Sequence, residues 1–118
     1  MNSTLEREVT QLHAEICAGL ADPSRILILY ELSQSSRNVT ELCNNLGMPQ
    51  PLVSRHLKIL RERGMVNTER RGNVIAYSLA NPKIVEALDL LRAAMREIMT
   101  RRAALVKAIP EYSLQEKP

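Results

Sequence analysis

Between Gln50 and Arg61 the polar residues Gln50, Ser54, Arg55, Lys58 and Arg61 alternate with the apolar residues Leu52, Val53, Leu57, Ile59 and Leu60. Most of these spacings are three or four residues, so one face of a helix would enter a core and the other would stay available for polar work. The chemistry on offer is recognition rather than bond-making. A glutamine amide presents a donor and an acceptor to an adenine edge, an arginine forks onto guanine or holds a phosphate, and a serine hydroxyl can do either. From Arg55 to Arg71 the cations Arg55, Lys58, Arg61, Arg63, Arg70 and Arg71 face only Glu62 and Glu69, which suits a polyanion. Net charge alone says little, because 16 Lys and Arg against 13 Asp and Glu leave +3. With no Phe or Trp and only Tyr30, Tyr77 and Tyr112, the chain has few platforms for stacking single-stranded bases, so a duplex is the better fit. No enzyme is expected. The two His and two Cys are far apart in sequence, and no Gly-rich phosphate loop or paired catalytic motif occurs.

The elements that must position these groups are readable from local signals. Asn38-Val39-Thr40-Glu41 offers an Asn cap with Glu three residues later, opening a helix over 38–46 that stops at Gly47, where Met48-Pro49 turns the chain. A second helix over 50–63 ends at Gly64. Strands then flank Gly72-Asn73, a pair suited to a hairpin turn that needs positive backbone angles, in a hairpin spanning 65–79. Helix, turn, helix and basic hairpin make a winged helix. Upstream, Leu5, Val9, Leu12, Ile16 and Leu20 predict one apolar stripe on a helix over 4–20. Asp22 and Pro23 supply a cap and a first-turn proline for a helix to about Leu32, whose run Ile26 to Tyr30 predicts burial, and 33–37 reads as a loop. The expected fold is mainly α with a small β-hairpin, in the order four helices, two strands, one helix.

That final helix starts at Asn81-Pro82, and Ile84, Leu88, Leu91, Met95, Ile98, Leu105 and Ile109 follow alternating steps of four and three, broken only by Arg102. From 82 to 109 it would be roughly 40 Å long, more than a small winged-helix core covers along one side. A second copy is the expected cover, giving a homodimer with Leu5, Val9, Leu12, Ile84, Leu88, Leu91, Met95 and Ile98 at its interface, the alternative being a helix that lies wholly on its own domain. A chain of 118 residues favours a single domain, placed at 1–110, with 111–118 as a tail. No apolar run reaches membrane-spanning length, and the absence of a signal peptide predicts a cytoplasmic protein with reduced thiols.

AEICAGLADPSRILIL at Ala14 to Leu29, VTELCNNLGMPQPLVSRHLKILRERGMV at Val39 to Val66 and RRGNVIAYSL at Arg70 to Leu79 together resemble the ArsR/SmtB family of winged-helix repressors, small dimers that leave their operator when an inducer binds. The resemblance covers about residues 9 to 95. It implies a double-stranded operator DNA partner and a second helix of the pair lying in the major groove, with base and phosphate contacts at Gln50, Ser54 and Arg55. For His56 it leaves open base reading, packing or a backbone contact; Lys58 would touch phosphate at most. Arg70, Arg71 and Asn73 would reach the flanking backbone or minor groove, the alternative being a solvated charged hairpin. The chain departs from the family at Pro49 and Pro51, where Ser or Thr is usual. Pro51 keeps its place in the contact surface without a hydroxyl to donate, and neither proline should break the helix, since first-turn N–H groups lack intrahelical partners.

The inducer is the least legible part. The last helix has Asp89 and Glu97 but no His, which makes a zinc or nickel site there improbable. Family members that bind soft metals use a Cys-x-Cys pair on the helix before the reading helix; here Cys43 holds the first place and Asn45 replaces the second. Cys17 and Cys43 stand as candidate sensor thiols for oxidant, persulfide, arsenite or a soft metal. They read most simply as buried small hydrophobes. No metal site is expected, and a protein-interaction module, or a DNA binder that is constitutive or answers an organic ligand, remains the alternative.

Overall fold

The computed structural model describes residues 3–108, so Ile109, Pro110 and the proposed tail at 111–118 lie outside the described residues. The elements are α1 (Ser3–Leu12), a π turn (His13–Cys17) that continues it, α2 (Pro23–Gln34), α3 (Val39–Leu46), α4 (Gln50–Glu62), β1 (Val66–Arg71), β2 (Val74–Leu79) and α5 (Lys83–Ala108). They fall into two compact units, Met1–Pro82 and Lys83–Pro118.

Local signals start and stop most of these elements where the sequence says they should. Asp22 caps α2 by accepting from the Ser24 N–H at 2.8 Å. Asn38 and Glu41 form a reciprocal capping box on α3, at 2.8 and 2.9 Å. Gly47 ends α3 in the left-handed conformation, φ 64°, and its N–H returns to the Cys43 carbonyl. The α4 helix begins after Pro49 with no side-chain cap, yet runs unbroken through Pro51, because proline in the first turn removes no intrahelical hydrogen bond.

In the first unit, α2, α3 and α4 pack on one another and on the hairpin. Ile28, Leu29, Leu42, Val53, Leu57, Leu60 and Met65 are fully buried among them. Each such side chain contributes about 1.5–3 kcal/mol of transfer free energy. The α2 run is less uniform than its composition predicts: Ile28, Leu29 and Leu32 face the core, whereas Leu27 is half exposed.

Strands β1 and β2 pair antiparallel, with Val66 opposite Leu79 and Arg71 opposite Val74. The turn between them needs a positive φ at Gly72 alone, 65°; Asn73 does not share it. A third short edge, unforeseen in the loop at 33–37, joins the wing where Arg37 and Tyr77 exchange both backbone hydrogen bonds, at 3.0 and 2.8 Å. The other unit is α5 itself, which buries Val85 and Leu88 and leaves Leu91, Met95 and Ile98 about half exposed or more. No described helix is long and apolar enough to cross a membrane.

Candidate nucleic-acid interface

The alternation along α4 sorts its side chains by face. Val53, His56, Leu57 and Leu60 are buried, and Gln50, Pro51, Ser54, Arg55, Lys58 and Arg61 are exposed. Among the described residues no hydrogen bond or ion pair holds Arg55, Lys58 or Arg61. Three cations on one turn-by-turn face, none neutralised internally, leave the outer surface of α4 ready for anionic oxygens.

One residue that the sequence did not mark, Tyr77, joins this face. Tyr77 of β2 and Arg61 line, with Ser54, Leu57, Lys58 and Glu62, a groove of about 390 Å³ between α4 and the wing. Arg61 belongs to the polar face already legible in the sequence, seven residues beyond Ser54. Tyr77 carries no such signal, because only the folding of the wing, whose β1 packs on α4, brings it to this groove. Tyr77 also borders a second groove of about 340 Å³ with Asn38, Thr40, Asn73, Val74 and Ile75, where the wing tip approaches the start of α3.

The wing's Arg70, Arg71 and Asn73 are all exposed. Arg70 Nε donates to the Gly72 carbonyl at 3.2 Å, steadying the turn, and Arg71 pairs with Glu69 at 3.2 Å. With both partners largely in solvent, the Arg71 pair is worth at most about 1 kcal/mol, so a phosphate can replace the carboxylate.

His56 is a correction. Its side chain is 3% exposed and cannot touch DNA. Its ring sits between α4 and the start of α2, with Nδ1 3.2 Å from Arg25 Nη1 and Nε2 3.8 Å from the Asp22 carboxylate. A guanidinium can only donate, so Nδ1 accepts and the ring proton belongs on Nε2, toward Asp22. Burial pushes the His56 pKa below its ordinary value; Asp22 opposes that shift, and Arg25 and Arg55 add to it. The Asp22 carboxyl is held low chiefly by the Ser24 N–H, with His56 and Arg25 helping. The apolar spacing already marked residue 56 as inward, since it lies three positions after Val53 and four before Leu60.

Arg63 also leaves the reading surface: its Nη1 donates to the Ala14 carbonyl at 2.6 Å and the Glu15 carbonyl at 3.2 Å.

The expected burial of both cysteines does not hold. Cys17, the last residue of the π turn, is exposed, and Cys43 is partly exposed. Both are free thiols. No group of three or more His, Cys, Asp or Glu placed to hold a metal occurs among the described residues. Of the expected interface residues, Leu5, Val9, Leu12, Leu91, Met95 and Ile98 are exposed. Ile84 is half-buried and Leu88 is buried.

Comparison with known proteins agrees with this arrangement. Residues 22–68 match the family described as bacterial regulatory protein, arsR family. The HTH-type transcriptional repressor SmtB of Mycobacterium tuberculosis is 47% identical over 75 residues, which are 64% of this chain and 56% of that repressor; the match thus spans little more than half of its length. The HTH-type transcriptional regulator Rv0081 of the same organism is 36% identical over 98 residues, 82% of this chain and 86% of that protein. Its crystal structure superimposes with a TM-score of 0.72 at 35% identity, covering 80% of this chain and 96% of the other. A homodimeric winged helix-turn-helix DNA-binding domain from Mycobacterium bovis aligns with a TM-score of 0.69 at 25% identity, over 82% and 89%. By the matched helix-turn-helix and by the relative it resembles over most of both lengths, this chain belongs to the arsR family of bacterial regulatory proteins.

Proposed function

We propose that the protein is a homodimeric transcriptional repressor that binds double-stranded operator DNA in the bacterial cytoplasm. The observation that carries this reading is the outward face of α4, where Gln50, Ser54, Arg55, Lys58 and Arg61 are exposed beside a basic wing and the side chains of the three cations have no partner among the described residues. In this reading Gln50, Ser54 and Arg55 meet base edges in the major groove. Lys58, Arg61 and Tyr77 hold phosphates beside them, and Pro51 contributes only contact surface. Arg70, Arg71 and Asn73 reach the flanking backbone or minor groove.

Residues 1–110 carry both DNA binding and dimerisation, with 111–118 as a tail. The exposed apolar residues Leu5, Val9 and Leu12 of α1 and Leu91, Met95 and Ile98 of α5 support a second copy as their cover. A two-fold axis would then set the two reading helices about 34–36 Å apart, matching successive major grooves.

The inducer we assign to the thiol-reactive class, arsenite and soft metals included, because Cys17 is exposed and Cys43 partly so. Binding would favour a dimer with the wrong helix separation and so lower operator affinity. The test is a gel-shift titration on a palindromic duplex selected from random pools, repeated at several salt concentrations and with arsenite, persulfide, peroxide and zinc. A complex with two protomers and a steep salt dependence is expected, dissolved by at least one thiol reagent. A salt-insensitive or absent complex would favour a protein-interaction module, and release by none of the reagents would point to an organic inducer or to constitutive binding.

A further inference from the structure

The end of the first helix is gripped by two arginines from different elements. Arg63, the residue that ends α4, places Nη1 on the carbonyls of Ala14 and Glu15, inside the π turn. Arg25 of α2 donates through Nε to the Gly19 carbonyl at 2.7 Å, just past that turn, and its Nη1 meets His56 in the middle of α4. The recognition helix is therefore tied at its end to two carbonyls within one irregular turn and at its midpoint, through Arg25, to a carbonyl just past it.

Three further features single out this joint. The Ala18 N–H reaches back to the His13 carbonyl, one residue farther than in an α-helix, so the turn is wide. The helix's apolar stripe changes character across it: Leu5, Val9 and Leu12 before the turn are half exposed, whereas Ile16 and Leu20 after it are partly covered. Gly19 lets the Arg63 stem lie against the chain, since a Cβ there would come within 2.9 Å of Met65 Sδ and 3.0 Å of Arg63 Cδ. Both Arg63 contacts come from the one Nη1, which lies across two successive carbonyls of the turn.

We infer that Arg63 is a positioning residue for DNA binding: it locks the axis of α4 to the first helix, so that the docking of that helix on a second copy sets the angle and separation of the two reading faces. This rests on the dimeric, DNA-binding reading above. The Arg25–His56 contact supplies the second point of attachment, and two points are what turn a hinge into a rigid link.

The test uses the full chain, a palindromic duplex selected with the wild type, the same duplex with one base pair inserted or removed between half-sites, and a single half-site. Each inserted pair rotates one half-site by about 35° relative to the other. Wild type should prefer the selected spacing. Arg63→Met should keep its dimeric state and half-site affinity, bind the full duplex about tenfold more weakly, and lose most of its preference between the spacings. Arg63→Lys should recover part of both. A merely structural arginine would lower half-site and full-site binding together. An unchanged spacing preference in Arg63→Met overturns the inference while leaving the repressor reading intact, and if that variant does not fold, Arg63→Lys is judged by the same criterion. Failure of the wild type to bind any selected duplex as a dimer overturns both.

Discussion

Arginines on the two sides of α4 have opposite fates. On the outer side Arg55 and Arg61, with Lys58 between them, have no partner among the described residues. On the inner side Arg25 and Arg63 have their donors on backbone carbonyls and on His56. The residue type is the same and the charge count cannot tell them apart. An arginine whose donors are satisfied within the chain is part of the scaffold, and one left in water beside other cations is available to a polyanion. The contrast also explains why His56, in the middle of a reading helix, does no reading: its ring is the hinge pin on which Arg25 and Asp22 converge.

The contrast can be broken by removing one arginine at a time. Arg25→Ala should have the largest effect on the fold. It strips hydrogen bonds from the Gly19 carbonyl and His56 Nδ1, and should cost about 1–3 kcal/mol in urea unfolding. An unchanged unfolding midpoint would show that the inner set is not structural. Arg55→Ala should leave that midpoint alone and weaken the cognate duplex by about 1–3 kcal/mol, relaxing preference at one base position per half-site. Equal weakening on every sequence would make Arg55 a phosphate clamp instead.

Acid sharpens the same comparison. The folded state holds the His56 pKa below the ordinary value of 6.5, so on acidification the unfolded chain takes up a proton that the folded chain resists. Stability from this site is complete above 6.5 and declines as pH falls below it, and Asp22, whose pKa is also lowered, adds a further loss at more acid pH. In an unfolding series from pH 7.5 to 5, His56→Gln should lack the first decline. The smallest effect belongs to Arg71→Ala, which should weaken all duplexes alike and reduce the slope of log affinity against log salt by about one.

Much of this arrangement could be read before any coordinates, because it is local. The capping box at Asn38 and Glu41, the left-handed Gly47 and the two faces of α4 each depend on residues within one or two turns. What escaped depends on distant partners. The Arg37–Tyr77 bridge pairs residues forty positions apart with no strand-like run around Arg37. The π turn leaves no pattern in HAEIC, and the groove at Tyr77 exists only once the wing has folded with β1 on α4. The inward place of His56 was visible in its spacing, but its position in the VSRHL segment drew it toward the reading surface. Burial of Cys17 beside the apolar stripe fails because that stripe is itself half exposed at Leu5, Val9 and Leu12.

Sequence recognition rests on which α4 side chains meet base edges. The direct measurement is the base-preference profile of Gln50→Ala beside that of the wild type, each selected from the same random duplex pool. Preference should disappear at one position in each half-site, symmetrically about the centre, with the rest of the profile intact. Identical profiles from the two proteins would contradict it.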